Sequence, residues 1–478
     1  MRPFARHLLL GTTLAGLSLL AAAGGAAAQA PSTDVPVLPV ERFTLPNGLT
    51  VLLSADHSAP IAAVTVFYHV GSKNELRGHT GFAHLFEHMM FQGSANVPRG
   101  QHIKMIEDVG GEMNGTTAND RTLYYETVPV NYLETALWLE SDRMGYLLPP
   151  LTQEKLDNQR EVVKNERRER VDNQPYGSEE EVTIAALFPA ANPYSWPVIG
   201  SMSDLSAASL DDVRGFFRQY YAPDNAILTI VGDIDTAATH ALVDKYFGSI
   251  PAGPAIERPV VPAAPLTSEK RLVLEDAKAT LPRIEFTWPT VGAGSPDAPA
   301  LDALGSVLTL DRTSRLTKLL VYDRQLASNV GAYQSSLEDA GSFAISVSPR
   351  PGASLSDIER LVDSVVATLT AGPVSEQEVD RAKRYALVGT ISGLQSALSR
   401  ANTLADGQAY YNDPEHYVKE LQQGQAVTAA DVYRVAKQYL TGGRIVLSMV
   451  PAGKLDQASR ATVPYVNVTP TPEKAGSR

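Results

Sequence analysis

Gly81-Phe82-Ala83-His84-Leu85-Phe86-Glu87-His88-Met89-Met90-Phe91 places two histidines four residues apart with a glutamate between them. In a helix, that spacing stacks His84 and His88 one turn apart on one face, and Glu87, three residues after His84, projects from the same side. Phe82, Phe86, Met89 and Met90 supply enough apolar surface to bury such a helix and hold the histidines rigidly. Two neutral imidazoles are good zinc ligands, and catalytic zinc sites use three protein ligands with a fourth position left for water. A third ligand must come from elsewhere in the chain.

Upstream of this stretch, Phe43-Thr44-Leu45 and Leu49-Thr50-Val51-Leu52-Leu53 flank Pro46-Asn47-Gly48, which predicts a β-hairpin, and Val64 to Val70 continues as a β-type run. Downstream, Ile103 to Val109 reads as a helix. Gly110-Gly111-Glu112-Met113-Asn114-Gly115-Thr116-Thr117 reads as a glycine-opened turn leading into the strand formers Thr122 to Val128. Thr152 is placed to cap a charged helix from about Gln153 to Val171. That helix carries Glu161 and Glu166 as candidate third ligands. The two are five residues apart, about 140° around a helix, so they do not readily face one metal together, and spacing alone does not choose between them.

A chain of 478 residues exceeds one ordinary hydrophobic core, which implies two or more domains. The Pro/Ala-rich run from Pro251 to Pro265 predicts a linker over 251–267. The two sides of it resemble each other. Asp212-Val213, Gln219-Tyr220 and the strand Ile227 to Val231 recur as Asp431-Val432, Gln438-Tyr439 and Ile445 to Val450, with one offset of 219 residues separating Asp212 from Asp431 and Gln219 from Gln438. A duplicated domain follows, one copy over 31–250 and the other over 268–455. The second copy has no metal motif: at the offset positions of His84, Glu87 and His88 stand Ala303, Ser306 and Val307, and no histidine lies between His240 and His416. Residues 456–478, with Pro464, Pro470 and Pro472, are expected to form a flexible tail.

Composition narrows the function classes. Hydrophobic residues make up 44% and charged residues 20%, as in a folded globular chain, and there is no cysteine, which removes disulfides and thiolate ligands. Any zinc site must use histidine and carboxylate. A closed structural site would favour cysteine, so three ligands with an open position are expected. A formal net charge of −12 argues against nucleic acid and gives no support for docking on anionic lipid. In residues 1–30, Arg2 and Arg6 precede the apolar run Leu8 to Leu20 and the small-residue segment Ala26-Ala27-Ala28-Gln29-Ala30. This is the pattern of a secretory signal cleaved after Ala28 or Ala30, which predicts a protein exported to a bacterial periplasm without a stable membrane anchor.

Three segments together carry a family resemblance: His84-Leu85-Phe86-Glu87-His88; Asn114-Gly115-Thr116-Thr117 with Asp120 and Tyr124; and Arg160-Glu161-Val162-Val163-Lys164-Asn165-Glu166. The chain resembles the inverzincins, the pitrilysin-like zinc peptidases, and among them the two-domain subunits of processing-peptidase type. The resemblance implies an α+β fold of two homologous domains, each a mixed β-sheet packed with helices, arranged as a clam-like half chamber. It implies Zn2+ held by His84, His88 and Glu166, with Glu87 as the base that activates water. Asn114, Gly115 and Thr116 would belong to an edge that holds an extended peptide substrate through its backbone.

Two positions depart from the family's pattern. Gln159 stands where relatives often carry a glutamate seven residues before the third ligand. In the second domain Arg324 matches a substrate-holding arginine, but Ser328 occupies the place of the tyrosine four residues on, and Tyr333 is the nearest tyrosine that could replace it. The resemblance therefore implies either a homodimer or a zinc-bearing chain whose homologous sister subunit supplies an Arg/Tyr pair. The expected activity is that of an exported zinc metalloendopeptidase acting on unfolded peptides or small polypeptides. The alternatives are a non-catalytic assembly subunit and a periplasmic peptide-binding protein of the same fold.

Overall fold

The computed structural model describes residues 36–262 and 265–468. The expected signal segment 1–30 and the last ten residues lie outside the described residues. Strands β1 (Glu41–Thr44), β2 (Thr50–Ala55), β3 (Ile61–Tyr68), β4 (Glu112–Thr117), β5 (Thr122–Pro129) and β6 (Ala226–Gly232) form a mixed sheet in the order β1-β2-β6-β3-β5-β4. Strands β7 (Lys270–Asp276), β8 (Arg283–Thr290), β9 (Ala327–Ser336), β10 (Gly341–Pro349), β11 (Ile445–Pro451) and β12 (Val466–Val468) form a second, in the order β12-β7-β11-β8-β10-β9. Position by position the two orders match. In both, the first of the five shared strands pairs parallel with the last, β2 with β6 and β7 with β11, and the other pairings among them are antiparallel. The edge strands differ: β1 folds back antiparallel on β2, whereas β12 runs parallel to β7.

The hairpin expected around Asn47-Gly48 joins β1 to β2, with Gly48 at φ +91°, where its missing Cβ avoids a clash. Helices of the first unit are α1 (Phe82–Met89), α2 (Gln101–Glu107), α3 (Leu133–Tyr146), α4 (Gln153–Arg167), α5 (Glu179–Leu187), α6 (Met202–Ala207), α7 (Leu210–Tyr220) and α8 (Thr236–Phe247). The second unit has α9 (Ala298–Thr309), α10 (Leu355–Ala371), α11 (Glu376–Gly393), α12 (Ala397–Tyr411), α13 (His416–Ala426) and α14 (Ala429–Tyr439). The repeat reaches the helix caps. Ser209 and Asp212 close a capping box on α7, and Thr428 and Asp431, at the same offset of 219, close one on α14.

Each sheet buries its outer face against its own helices. In the first core Val64, Val66, Leu228 and Ile230 meet Phe86, Leu137 and Phe217; in the second Ile284, Phe286, Ile345 and Val446 meet Leu304, Ile358 and Val432. Strands such as β6, buried at every residue, need cover on both faces. The inner faces are covered by exchange. Helix α12 from the second half lies on β3 and β6, with Tyr410 edge-on to Phe67 at 5.8 Å. Helix α5 from the first half contacts β11, and Leu187, Phe188 and Tyr194 pack on Leu272, Leu274, Ile445, Leu447 and Met449. The result is a clam-like α+β fold of two homologous halves, each holding a helix of the other.

The region expected as a flexible tail contains an ordered strand: Val466–Val468 adds to the sheet edge alongside Leu272 to Leu274. Two β-branched residues flanking a polar one suit an open sheet edge, a local pattern that the neighbouring prolines obscure.

Candidate metal centre and active site

Helix α1 is short, and its N-terminus is built by residues outside it. Gly81, at φ +88°, turns the chain into the helix, and the buried Glu75 accepts the Gly81 N–H at 2.9 Å and the Ala83 N–H at 2.8 Å. Burial pushes the Glu75 carboxyl up to about 8 against the opposing pull of these amide bonds. Phe86 is fixed between Phe217, stacked at 5.4 Å, and Tyr221, tilted at 4.4 Å, so the opposite face of α1 is locked.

On the free face, His84 and His88 hold their rings 4.8 Å apart at 80°. Thr152 caps α4 by accepting the Lys155 N–H, and that helix carries Glu166 to the histidines. Glu166 Oε2 lies 3.2 Å from His88 Nε2 and 3.7 Å from His84 Nε2. Nitrogen and oxygen donors around one tetrahedral zinc stand about 3.3 Å apart, so this set fits a single ion. Burial first, and the neighbouring His88 second, lower the His84 pKa to about 4, leaving its ring neutral with a lone pair to donate. The Nδ1 of His84 is buried without a hydrogen-bond partner. A hydrogen bond from His88, reinforced against burial by His84 and Arg170, keeps Glu166 below the ordinary carboxylate value. Spacing left Glu161 and Glu166 open; Glu166 meets the histidines, whereas Glu161 pairs with Lys164 at 2.9 Å on the exposed side.

Glu87 points to the same place without joining the donor set. Its Oε2 accepts the Thr117 hydroxyl at 2.5 Å, and burial raises its carboxyl while that hydrogen bond opposes the rise. Thr117 ends β4, the free edge of the first sheet, so Asn114, Gly115 and Thr116 run along the rim. A Cβ on Gly115 would stand 3.0 Å from Glu87 Cγ and 3.2 Å from both Phe91 and Tyr124. Any larger residue here would press on Glu87, Phe91 and Tyr124, so glycine suits the close approach of α1 to the edge strand. His84, Glu87, His88, Glu166 and the rim from Asn114 to Thr117 line a cavity of about 740 Å³ with Arg170, Glu180 and Ile199.

Sequence reading missed three contributors. Thr117 belongs to the motif Asn114-Gly115-Thr116-Thr117, but nothing in that motif signals its bond to Glu87. Arg170 ion-pairs with Glu166 Oε1 at 2.6 Å, and its i,i+4 spacing is the one signal that could have found it. Glu75 forms its cap without the Ser/Thr/Asp/Asn signature of a helix start. Gln159 is buried and donates to Asn158 Oδ1 at 2.9 Å.

The substrate-holding candidates of the second half divide. Arg324 is exposed and lines neither the metal cavity nor its neighbour, and Ser328 donates to the Ser348 carbonyl at 3.0 Å. Tyr333 instead lines an adjoining cavity of about 450 Å³ with Arg283, Glu179 and Glu285; Gly177 and Glu180 border both spaces. Burial and the Glu285 charge push Glu179 up to about 8 despite Arg283 at 3.1 Å.

A second group of possible donors, His102, Glu126 and Glu140, lies wholly inside the first core. His102 bonds directly to Glu126 and Arg143 pairs with Glu140, while Glu126 Oε2 and Arg143 Nη1 are buried without a hydrogen-bond partner among the described residues. Arg143 also stacks over Tyr124 at 4.2 Å.

Comparison with known proteins gives matches in both halves. Residues 50–193 match the family described as Insulinase (Peptidase family M16), and residues 207–385 match the Peptidase M16 inactive domain. The zinc protease PqqE of Helicobacter pylori is 29% identical over 408 residues, covering 84% of this chain and 90% of that protein. The uncharacterized zinc protease Mb2805c of Mycobacterium bovis is 28% identical over 420 residues, covering 86% of this chain and 93% of that protein. The crystal structure of a protease from Helicobacter pylori superposes with a TM-score of 0.81 at 28% identity, covering 87% of this chain and all of that one.

Proposed function

Because the chain belongs to the pitrilysin-like M16 peptidase family, we propose that it is an exported zinc metalloendopeptidase that hydrolyses unfolded peptides or small polypeptides. The observation that carries this reading is the meeting of His84, His88 and Glu166 on one ion-sized space with Glu87 beside it. His84, His88 and Glu166 would hold a zinc ion, which would supply the Lewis acidity that polarises a scissile carbonyl and acidifies water. Glu87 takes the proton from the attacking water, whose oxygen joins the carbonyl carbon, and returns it to the amide nitrogen as the C–N bond breaks. Thr117 orients the carboxylate for both transfers. The edge of β4 aligns an extended peptide by backbone pairing, which explains tolerance of varied side chains.

The position of Arg324 outside both cavities, together with Ser328, supports a paired assembly in which a sister subunit supplies the arginine and tyrosine. The signal-like residues 1–30 support a periplasmic location, and no helix among the described residues is long and apolar enough to cross a membrane.

Zinc analysis with peptide-cleavage assays on wild type, Glu87→Gln and Glu166→Ala tests the chemistry. The first variant is expected to keep zinc and lose cleavage, the second to lose both, and persistent cleavage by Glu87→Gln would overturn the mechanism. Full activity of the purified single chain would overturn the paired assembly.

A further inference from the structure

Immediately after Glu166 the chain departs from regular geometry. Helix α4 ends at Arg167, the next five residues Arg168–Asp172 widen into a π-helical turn, and Tyr176 adopts φ +62°, a left-handed conformation rare for an aromatic residue. Gly177 completes the turn so closely that a Cβ there would lie 2.0 Å from the Val171 carbonyl oxygen. Strain of this kind persists only where surrounding contacts over-determine it.

Those contacts come from the other half. The turn between β7 and β8 holds the segment at three points: Asp276 Oδ2 accepts the Tyr176 N–H at 2.6 Å, the Leu281 carbonyl accepts the Tyr176 hydroxyl at 2.7 Å, and the Lys278 ammonium donates to the Asp172 carbonyl at 2.5 Å. Asp276 is itself anchored, with Oδ1 accepting the Lys278 N–H at 2.7 Å and its carbonyl accepting the Ala452 N–H at 3.2 Å. The segment so held is a wall of the metal cavity, contributing Arg170, Val171 and Gly177, and it delivers Arg170 to Glu166.

We propose that Asp276 is a positioning residue for the metal centre: by pinning Tyr176 in its left-handed conformation it keeps the 168–177 turn closed and Arg170 seated on Glu166. The second half, which lacks metal ligands of its own, thereby sets the orientation of a ligand in the first. This rests on the proposed zinc site, and its consequence is that the metal half depends on docking of the other half for more than enclosure of substrate.

The test compares full-length Asp276→Ala and Asp276→Asn with wild type by hydrogen exchange of residues 168–178, by zinc affinity in competition with a chelator, and by peptide cleavage. Asp276→Ala is expected to exchange at least about 10-fold faster across 168–178 and to bind zinc about 10-fold more weakly, as loss of outer-shell support does. Asp276→Asn keeps one acceptor oxygen for the two N–H donors Tyr176 and Lys278, and should fall between wild type and Asp276→Ala in both. Tyr176→Phe, which loses only the bond to Leu281, should shift both in the same direction by less and serves if Asp276→Ala does not fold. Unchanged exchange and unchanged zinc affinity in the variants would overturn the proposal. Exchange and metal binding are read without turnover, so absence of wild-type cleavage would count against the peptidase reading alone.

Discussion

The hydroxyl of Thr117, at the end of edge strand β4, donates a 2.5 Å hydrogen bond to Glu87 Oε2 on helix α1, thirty residues earlier in the chain. The edge strand and the Glu87 carboxylate are therefore one mechanical unit. Thr117→Val keeps the shape and removes the donor. It is expected to lower kcat about 10-fold with zinc content unchanged, in steady-state assays paired with metal analysis. An unaltered kcat would mean that Glu87 needs no such support.

Gly115 tests the same unit sterically. Gly115→Ala drives a methyl against Glu87 Cγ, Phe91 and Tyr124 at 3.0 to 3.2 Å. The displacement should cost on the order of 100-fold in kcat, because a misplaced base loses its alignment, but only about 1 kcal/mol in stability. Thermal unfolding measured beside kinetics separates the two, and a loss of folding equal to the loss of activity would refute the claim.

Metal removal gives a third expectation. Dialysis against a chelator should abolish cleavage and lower Tm, with zinc restoring both, since an ion bound only by the folded donor set stabilises by mass action. A Tm that ignores zinc would show that His84, His88 and Glu166 do not hold it.

The fourth concerns pH and the joint between halves. Lys73, nearly buried in the first half, lies 2.9 Å from Asp120 and reaches Glu338 at 2.5 Å and Asp339 at 3.1 Å in the second; His69 adds a bond to Glu338 at 2.9 Å. Burial acts to raise the Glu338 carboxyl, but His69 and Lys73 outweigh it and hold the group at about 2, against 4.5 when unperturbed. A carboxyl lowered by folding contributes stability that is fully present above the unfolded value and is lost as pH falls from about 4.5 towards 2. Glu338→Gln should therefore destabilise by about 2 kcal/mol at pH 7 and flatten the acid limb of the stability profile. Denaturant titrations at pH 7 and pH 3 check this, and equal losses at both would contradict it.

Much of the centre was legible because it is local. The separation of His84, Glu87 and His88 places them on one helical face whatever surrounds the helix, and the β-type run that begins at Val64 overlaps β3. The repeat was visible where helix starts are chemically constrained, at Asp212 and Asp431. The contacts of Thr117 with Glu87 and of Asp276 with Tyr176 were not legible, because they depend on which strand becomes an edge and on how the halves dock. Val466–Val468 was missed since a three-residue strand has too little periodicity to stand out from a proline-rich end.

The sequence by itself determined the donor types, the one-turn spacing of the histidines, the duplicated framework and the loss of the motif from its second copy, since covalent spacing and side-chain chemistry need no partner to be read. Spacing left Glu161 and Glu166 open and the family resemblance pointed to Glu166, which the structure brings to the histidines; the tertiary structure alone decided that Thr117 and Arg170 hold Glu87 and Glu166, and that α5 and α12 pack on the sheet of the other half. Those outcomes follow from sheet register and from the need to cover two apolar inner faces, and both are properties of the whole packed chain.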